Sequence, residues 1–233
     1  TTEIYTLSLH DALPISCFSI RKPADVIFRL HDYVAAGLMS PRQSALLMGA
    51  IIERKNIVVI GGTSSGKTTL VNALLAEIAL HDQRVVILED TRELKCAAPD
   101  CVTLRTKPGV AALSDLVRST LRLRPDRIVI GEVRGPEALD MLKAWNTGHP
   151  GGITTLHANS IPAALLRLEQ LVQEAVVTVP RALIAEAVDV LVFIAGRGPD
   201  RRIEGLSALD GLDEDGEYVL KPMGTPVLRP VAS

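Results

Sequence analysis

Aromatic side chains are nearly absent: Phe, Tyr and Trp make up 3% of the 233 residues, although apolar residues of all kinds reach 47%. A core of this composition must be aliphatic, as expected where Val, Ile and Leu strands are covered on both faces by helices. Cysteine is also scarce. Cys17, Cys96 and Cys101 are the three present, none stands in a Cys-x-x-Cys pair, and neither a disulfide framework nor a zinc knuckle follows. Reduced thiols are expected. No apolar run approaches the roughly 18 residues of a membrane-spanning helix, and the N-terminus lacks a basic segment followed by an apolar one. The expected location is therefore the cytosol, with at most peripheral docking to a membrane complex. No charge of one sign dominates. The net charge of −2 and isoelectric point of about 6.2 give no global field to attract nucleic acid or an anionic membrane.

Length allows one principal domain. Residues 1–16 show neither helical nor strand periodicity and end in a Pro-containing break, so they read as a leader, either a non-native segment or an extended arm. Residues 17–56 read as a linker. Phe18-Ser19-Ile20 suits a short strand, residues 24–36 a helix ending at Gly37, and Ser40-Pro41 the start of a second helix with Leu46, Leu47, Ala50 and Ile51 on one face. From residue 57 to 233 the pattern is α/β. Apolar strands are expected at 57–60, 85–88, 128–130, 153–156 and 190–194. The intervening helices carry stripes of Leu70, Val71, Leu74, Leu75 and Ile78, then Leu113, Leu116, Val117 and Leu121. Such alternation predicts a mainly parallel sheet flanked by helices, with right-handed crossovers. Residues 202–209 and 217–220 flank Asp213-Glu214-Asp215-Gly216, which predicts a C-terminal β-hairpin.

Gly61-Gly62-Thr63-Ser64-Ser65-Gly66-Lys67-Thr68 fits the phosphate-binding pattern G-x-x-x-x-G-K-[ST]. It lies between a predicted buried strand and an amphipathic helix, where backbone N–H groups and the positive helix end converge on phosphate oxygens. Small residues let the backbone wrap closely. The loop and its first helical residues, through Thr69, form the expected nucleotide cradle. Lys67 is placed to reach the β- and γ-phosphates, and the Thr68 hydroxyl to ligate Mg²⁺. No Asn-Lys-x-Asp follows, which removes the usual guanine-reading signal, and no Leu-Ser-Gly-Gly segment points to a transporter cassette. ATP is the expected ligand.

Two strand ends carry acids. Glu89 and Asp90 follow one strand and Glu132 another, and a parallel sheet brings both to the edge that holds the phosphate loop. Glu132 is expected to hold Mg²⁺ through water or, with Glu89, to orient the attacking water; Asp90 serves equally as a helix cap. Arg118 and Arg122 share one helix face, with Arg124 and Arg127 close behind. The cluster reads as a solvated face, a nucleic-acid patch or fingers for a neighbouring subunit. His157 follows the apolar 153–156 segment, and no metal-ligand spacing joins it to the loop residue His149.

Four segments together resemble one family. The phosphate loop, RVVILEDTREL at 84–94, RPDRIVIGEVRG at 124–135 and GITTLHANS at 152–160 are similar, in order, to the Walker A, Asp box, Walker B and His box of the type II/type IV secretion ATPase superfamily. FSIRK, IGEVRGPEALDML and TGHPGG are most similar to its conjugative and type IV secretion branch. The resemblance extends from about Phe18 to the C-terminus. It implies a RecA-like motor that hydrolyses ATP in a homo-oligomeric, hexameric ring, peripheral at the inner membrane and partnered by components of a secretion or conjugation machine. Direct nucleic-acid binding is not expected. The same resemblance makes His157 a γ-phosphate sensor and strengthens the finger reading of Arg118 and Arg122. It also implies a separate N-terminal domain, for which too few residues precede the loop, so the chain is expected to be truncated. The other readings are a pilus-retraction or type II secretion ATPase, a non-hydrolysing ATP-dependent interaction module, and a nucleic-acid helicase.

Overall fold

The computed structural model describes residues 27–224. The leader, the short strand at 18–20 and the start of the helix expected at 24 lie outside them. In chain order the elements are α1 (Leu30–Ala35), α2 (Pro41–Ile52), β1 (Ile57–Ile60), α3 (Lys67–Ile78), β2 (Val85–Glu89), β3 (Cys101–Arg105), α4 (Leu113–Thr120), β4 (Arg127–Ile130), α5 (Glu137–Asn146), β5 (Ile153–Leu156), α6 (Ile161–Gln173), α7 (Arg181–Ala187), β6 (Val190–Ala195), β7 (Arg202–Leu212) and β8 (Tyr218–Pro222). Eight strands form one sheet in the order β3-β2-β4-β5-β1-β6-β7-β8. The first six are parallel, and β7 and β8 continue antiparallel as the expected hairpin.

Alternate residues of each strand serve two cores, because successive side chains point to opposite faces. Val58, Ile60, Val86, Leu88, Ile128, Ile130 and Leu191 pack under α4 to α7. Ile57, Val59, Val85, Ile87, Val129, Val190 and Val192 pack under α1 to α3. All residues of β1, β2, β4 and β5 are buried, the double coverage that the continuous aliphatic runs require.

The structure differs from expectation in three places. The first described helix starts at Leu30, not residue 24. Arg29 is extended, and its guanidinium reaches across to Glu77 of α3 at 2.9 Å, a tertiary contact invisible to local periodicity. The edge strand β3 is absent from the expected strands because it is only partly buried and carries no continuous apolar run. Helices α5, α6 and α7 fill the segments between the later strands and complete the second layer.

Two buried polar residues brace the amino edge of the sheet. Asn56 donates to Ala187 O at 2.7 Å, accepts from Gly152 N at 2.8 Å, and gives its own N–H to Asp189 at 2.8 Å, so one residue ties the starts of β1, β5 and β6. Gly152 must lack a side chain, since a Cβ would run into the Trp145 ring. Arg127, only 1% exposed, does not belong to a solvated or trans-acting arginine cluster. Its guanidinium donates to Gln83 Oε1 at 2.5 Å, Ile51 O at 2.6 Å and Gly151 O at 3.2 Å. Burial, followed by the nearby Arg54 charge, pushes its pKa down to about 10.

Replacing Arg127 with Met leaves these acceptors buried and unpaired. The expected loss is about 3 kcal/mol, or roughly 6–12 °C in Tm for a domain of this size, measured by thermal melting. Arg118→Ala removes only an exposed ion pair and should change stability by less than about 0.5 kcal/mol.

Candidate functional site: the phosphate loop and its carboxylates

Strand order decides which side chains can meet. β1 leads into the phosphate loop, its neighbour β5 ends at His157, and β4, next to β5, ends before Glu132. Three parallel carboxyl ends therefore present the loop, a histidine and a carboxylate side by side.

The loop leaves β1 at Gly61, where a Cβ would lie 2.5 Å from both Ile194 O and Ser65 Oγ. Gly62 is half-buried, Thr63 and Ser64 are exposed, and Ser65 is buried with its hydroxyl unpartnered. Gly66 caps α3 in the left-handed region, at φ +96°, and no side chain caps the helix. The first N–H groups of α3, from Lys67, Thr68 and Thr69, have no intrahelical acceptor. An uncapped helix start behind a wrapped glycine loop is a fitting anion cradle, and the buried, unsatisfied Ser65 hydroxyl faces the same turn.

Lys67 Nζ donates to Gly61 O at 2.9 Å and Gly62 O at 3.0 Å. It also stands 3.4 Å from His157 Nδ1, and the other ring nitrogen, Nε2, lies 2.9 Å from Glu132 Oε1, so the neutral ring accepts from Lys67 through Nδ1 and donates to Glu132 through Nε2. Glu132 in turn pairs with the exposed Arg134. Burial lowers the Lys67 pKa, opposed by Glu132. Burial and then the Lys67 charge lower that of His157, so the imidazole is neutral at pH 7. Pairing beyond the strand ends holds the arrangement. Val133 N donates to Thr155 O at 3.1 Å, and Thr155 Oγ1 to Gly131 O at 2.8 Å.

Glu89, expected to act with Glu132 on Mg²⁺ and water, lies next to a second carboxylate, Glu93, at the same strand end. Glu89 is 3% exposed, and one of its oxygens accepts from Glu93 N and Leu94 N, each at 3.0 Å. Its other oxygen is buried and unpartnered. Asn72 of α3 clasps the same loop, donating to Glu93 O at 3.2 Å and accepting from Lys95 N at 2.8 Å. The clasp delivers the Glu93 carboxylate to Thr68, whose hydroxyl donates to it at 3.3 Å. A hydroxyl and carboxylate so paired at the mouth of an anion cradle suit Mg²⁺, a hard cation that prefers oxygen donors. Burial, ahead of any charge, raises the Glu89 pKa.

Other residues stand apart. Arg118 pairs with Asp140 of α5 at 3.1 Å, and Arg122 lies in the single turn between α4 and β4, at the amino edge; neither joins the cluster around Lys67 within the chain. His149 precedes β5 and is therefore at the opposite end of that strand from His157. Asp90 accepts from Thr106 at 2.8 Å. Among the described residues no group of three or more His, Cys, Asp or Glu could hold a metal unaided. Sequence reading missed Glu93, Asn72 and Arg134. Glu93 and Arg134 lie within two of the four motifs, but only the clasp and the Glu132 pairing reveal what they touch.

Fold and site together define a RecA-like P-loop domain. Residues 8–197 match the family model for the type II/IV secretion system protein, and the chain belongs to that family. It is 50% identical over 196 residues to the conjugal transfer protein TrbB of Rhizobium radiobacter, covering 83% of this chain and 60% of that protein. It is 49% identical over 206 residues to the probable conjugal transfer protein TrbB of Sinorhizobium fredii, covering 88% and 63%. The chain thus spans less than two thirds of these relatives. Among solved structures, the VirB11 ATPase of the Brucella suis type IV secretion system, in complex with sulphate, superposes with a TM-score of 0.65 at 33% identity, covering 80% of this chain and 64% of that one. The resemblance expected from the four motifs is borne out.

The raised Glu89 pKa fixes a pH signature. Its folded value lies above the unfolded 4.5, so its contribution to stability is present below that pH and is lost as pH rises through the folded pKa. Glu89→Gln removes the titration. The melting temperature of the variant relative to the parent should therefore climb as pH rises above 4.5. A difference independent of pH would mean that burial does not perturb this carboxyl.

Proposed function

We propose that this chain binds ATP with Mg²⁺ and hydrolyses it, as the motor of a ring that powers conjugative transfer or type IV secretion. One observation carries the reading: Lys67, His157 and Glu132 stand in unbroken contact through the two ring nitrogens, at 3.4 and 2.9 Å, beside an uncapped helix start. Loop N–H groups and Lys67 bind and orient the phosphates, so charge stabilisation is supplied by groups already in place. Thr68 and Glu93 would hold the cation, which would offset charge on the phosphate oxygens. Glu132 orients water and receives its proton, while Glu89 fixes the loop that carries Glu93. Neutral His157 bridges the Lys67 cation and the Glu132 anion, and so registers whether the γ-phosphate is there.

The names of the relatives support the secretion setting, and the sulphate bound by the VirB11 ATPase fits an anion-binding protein. A homo-hexameric ring, with Arg118 or Arg122 offered to a neighbouring subunit, is part of the proposal. So are inner-membrane machine components as partners and a peripheral cytoplasmic location. No described helix is long and apolar enough to cross a membrane.

Phosphate release measured against protein concentration tests the motor. Lys67→Ala should weaken ATP binding by at least about tenfold. Glu132→Gln should leave binding within about twofold while turnover falls by about 100-fold or more. Unchanged turnover in Glu132→Gln would overturn its role, and turnover per subunit that is independent of concentration would remove the need for a ring.

A further inference from the structure

One cation at the phosphate loop is unused by this scheme. Arg201 ends the connection between β6 and β7, and its guanidinium rests directly on the loop. A Cβ on Gly66 would lie 2.6 Å from Arg201 Nε and 2.7 Å from Cζ. One terminal nitrogen is 3.5 Å from Ser64 O, while Nε is buried without a partner. No carboxylate pairs with Arg201 among the described residues.

The connection is built to hold it there. Gly196 is left-handed at φ +81° and packs so closely on the Asp200 backbone that a side chain would collide with it. Asp200 N donates to Arg197 O at 3.1 Å, and Ile203 N to Leu38 O at 2.8 Å, which pins the start of β7 to the segment after α1. Arg201 therefore sits against Gly66, at the positive end of α3, with a desolvated donor unused. A cation at a helix start opposes the positive end of the helix dipole, and an unpaired buried N–H costs the free energy of its lost hydration. A phosphate group relieves both.

Topology says which phosphate. β5 and β4 lie on one side of β1 and carry His157 and Glu132, while β6, which leads to Arg201, lies on the other. With the γ-phosphate on the His157 side, the remainder of the nucleotide leaves the loop toward Arg201. Resting on the nucleotide-binding reading above, we propose that Arg201 is a further nucleotide-binding residue, which grips the α-phosphate and nucleoside end shared by ATP and ADP. The same placement explains Gly66 beyond its backbone angle: a side chain there displaces the guanidinium.

The test is titration of fluorescent ADP and ATP into the full chain, the Arg201→Met variant, which keeps the apolar stem, and Lys67→Ala as a control. Both nucleotides should bind Arg201→Met about tenfold or more weakly, by the same factor, since a charge-assisted bond is lost from a shared part of the ligand. The ligand-free melting temperature should hold or rise, because an unpaired buried donor has gone. Arg201→Lys, which retains the charge without the fork, should recover part of the affinity. ADP affinity within about twofold of the parent, with Lys67→Ala impaired, overturns the assignment and leaves the nucleotide site standing. Weakened ATP with unaltered ADP also overturns it, by moving Arg201 to the γ-phosphate side. Failure of the unsubstituted chain to bind either nucleotide overturns both readings.

Discussion

A parallel sheet must be covered on both faces, and that constraint organises everything else in this chain. Six strands run the same way, so every connection crosses a face as a helix or long loop and every carboxyl end reaches the same edge. The chemistry collects there because loops at that edge converge, whereas the strands leave no room for it in the core. Neighbourhood at the edge follows strand order and not chain order. Lys67 and His157 are 90 residues apart yet stand in contact because β1 and β5 are hydrogen-bonded neighbours.

Charge at the edge is arranged in alternation. Lys67, neutral His157, Glu132 and Arg134 form a line in which each charged group faces a group of opposite sign or a neutral imidazole. Glu89 is set deeper, where the absence of water disfavours its ionised form, and two backbone N–H groups keep it useful as an anchor. Carboxylates on adjacent strand ends thus take different parts: the buried one shapes a loop, while Glu132, with 18% of its side chain exposed, faces His157 and Arg134.

Much of this is legible in the sequence, for identifiable reasons. Each aliphatic run of β1, β2, β4, β5 and β6 is bounded by turn residues, and the glycine loop announces its own function through spacing. The placement of Glu132 and His157 follows from counting past the strand ends. Other features depend on long-range contacts that no local pattern encodes. Arg127 resembles part of a basic surface because its neighbours are arginines, yet its backbone starts a buried strand. Arg29 stays extended, outside the first helix, to reach Glu77. Glu93 is one acid among several in an acidic stretch, and only Asn72 on a distant helix decides which one meets Thr68.

Asn56 lies at the end of the sheet with no chemistry. It nevertheless fixes where β1, β5 and β6 begin, and each strand is a stiff rod of four to six residues. A strand that starts one position late turns every side chain to the other face and carries its far end away by about 3 Å. The amino edge is thus the datum from which the positions of Lys67, His157 and Arg201 are measured. Tolerance there sets the precision of the site, roughly 13 Å away along the strand.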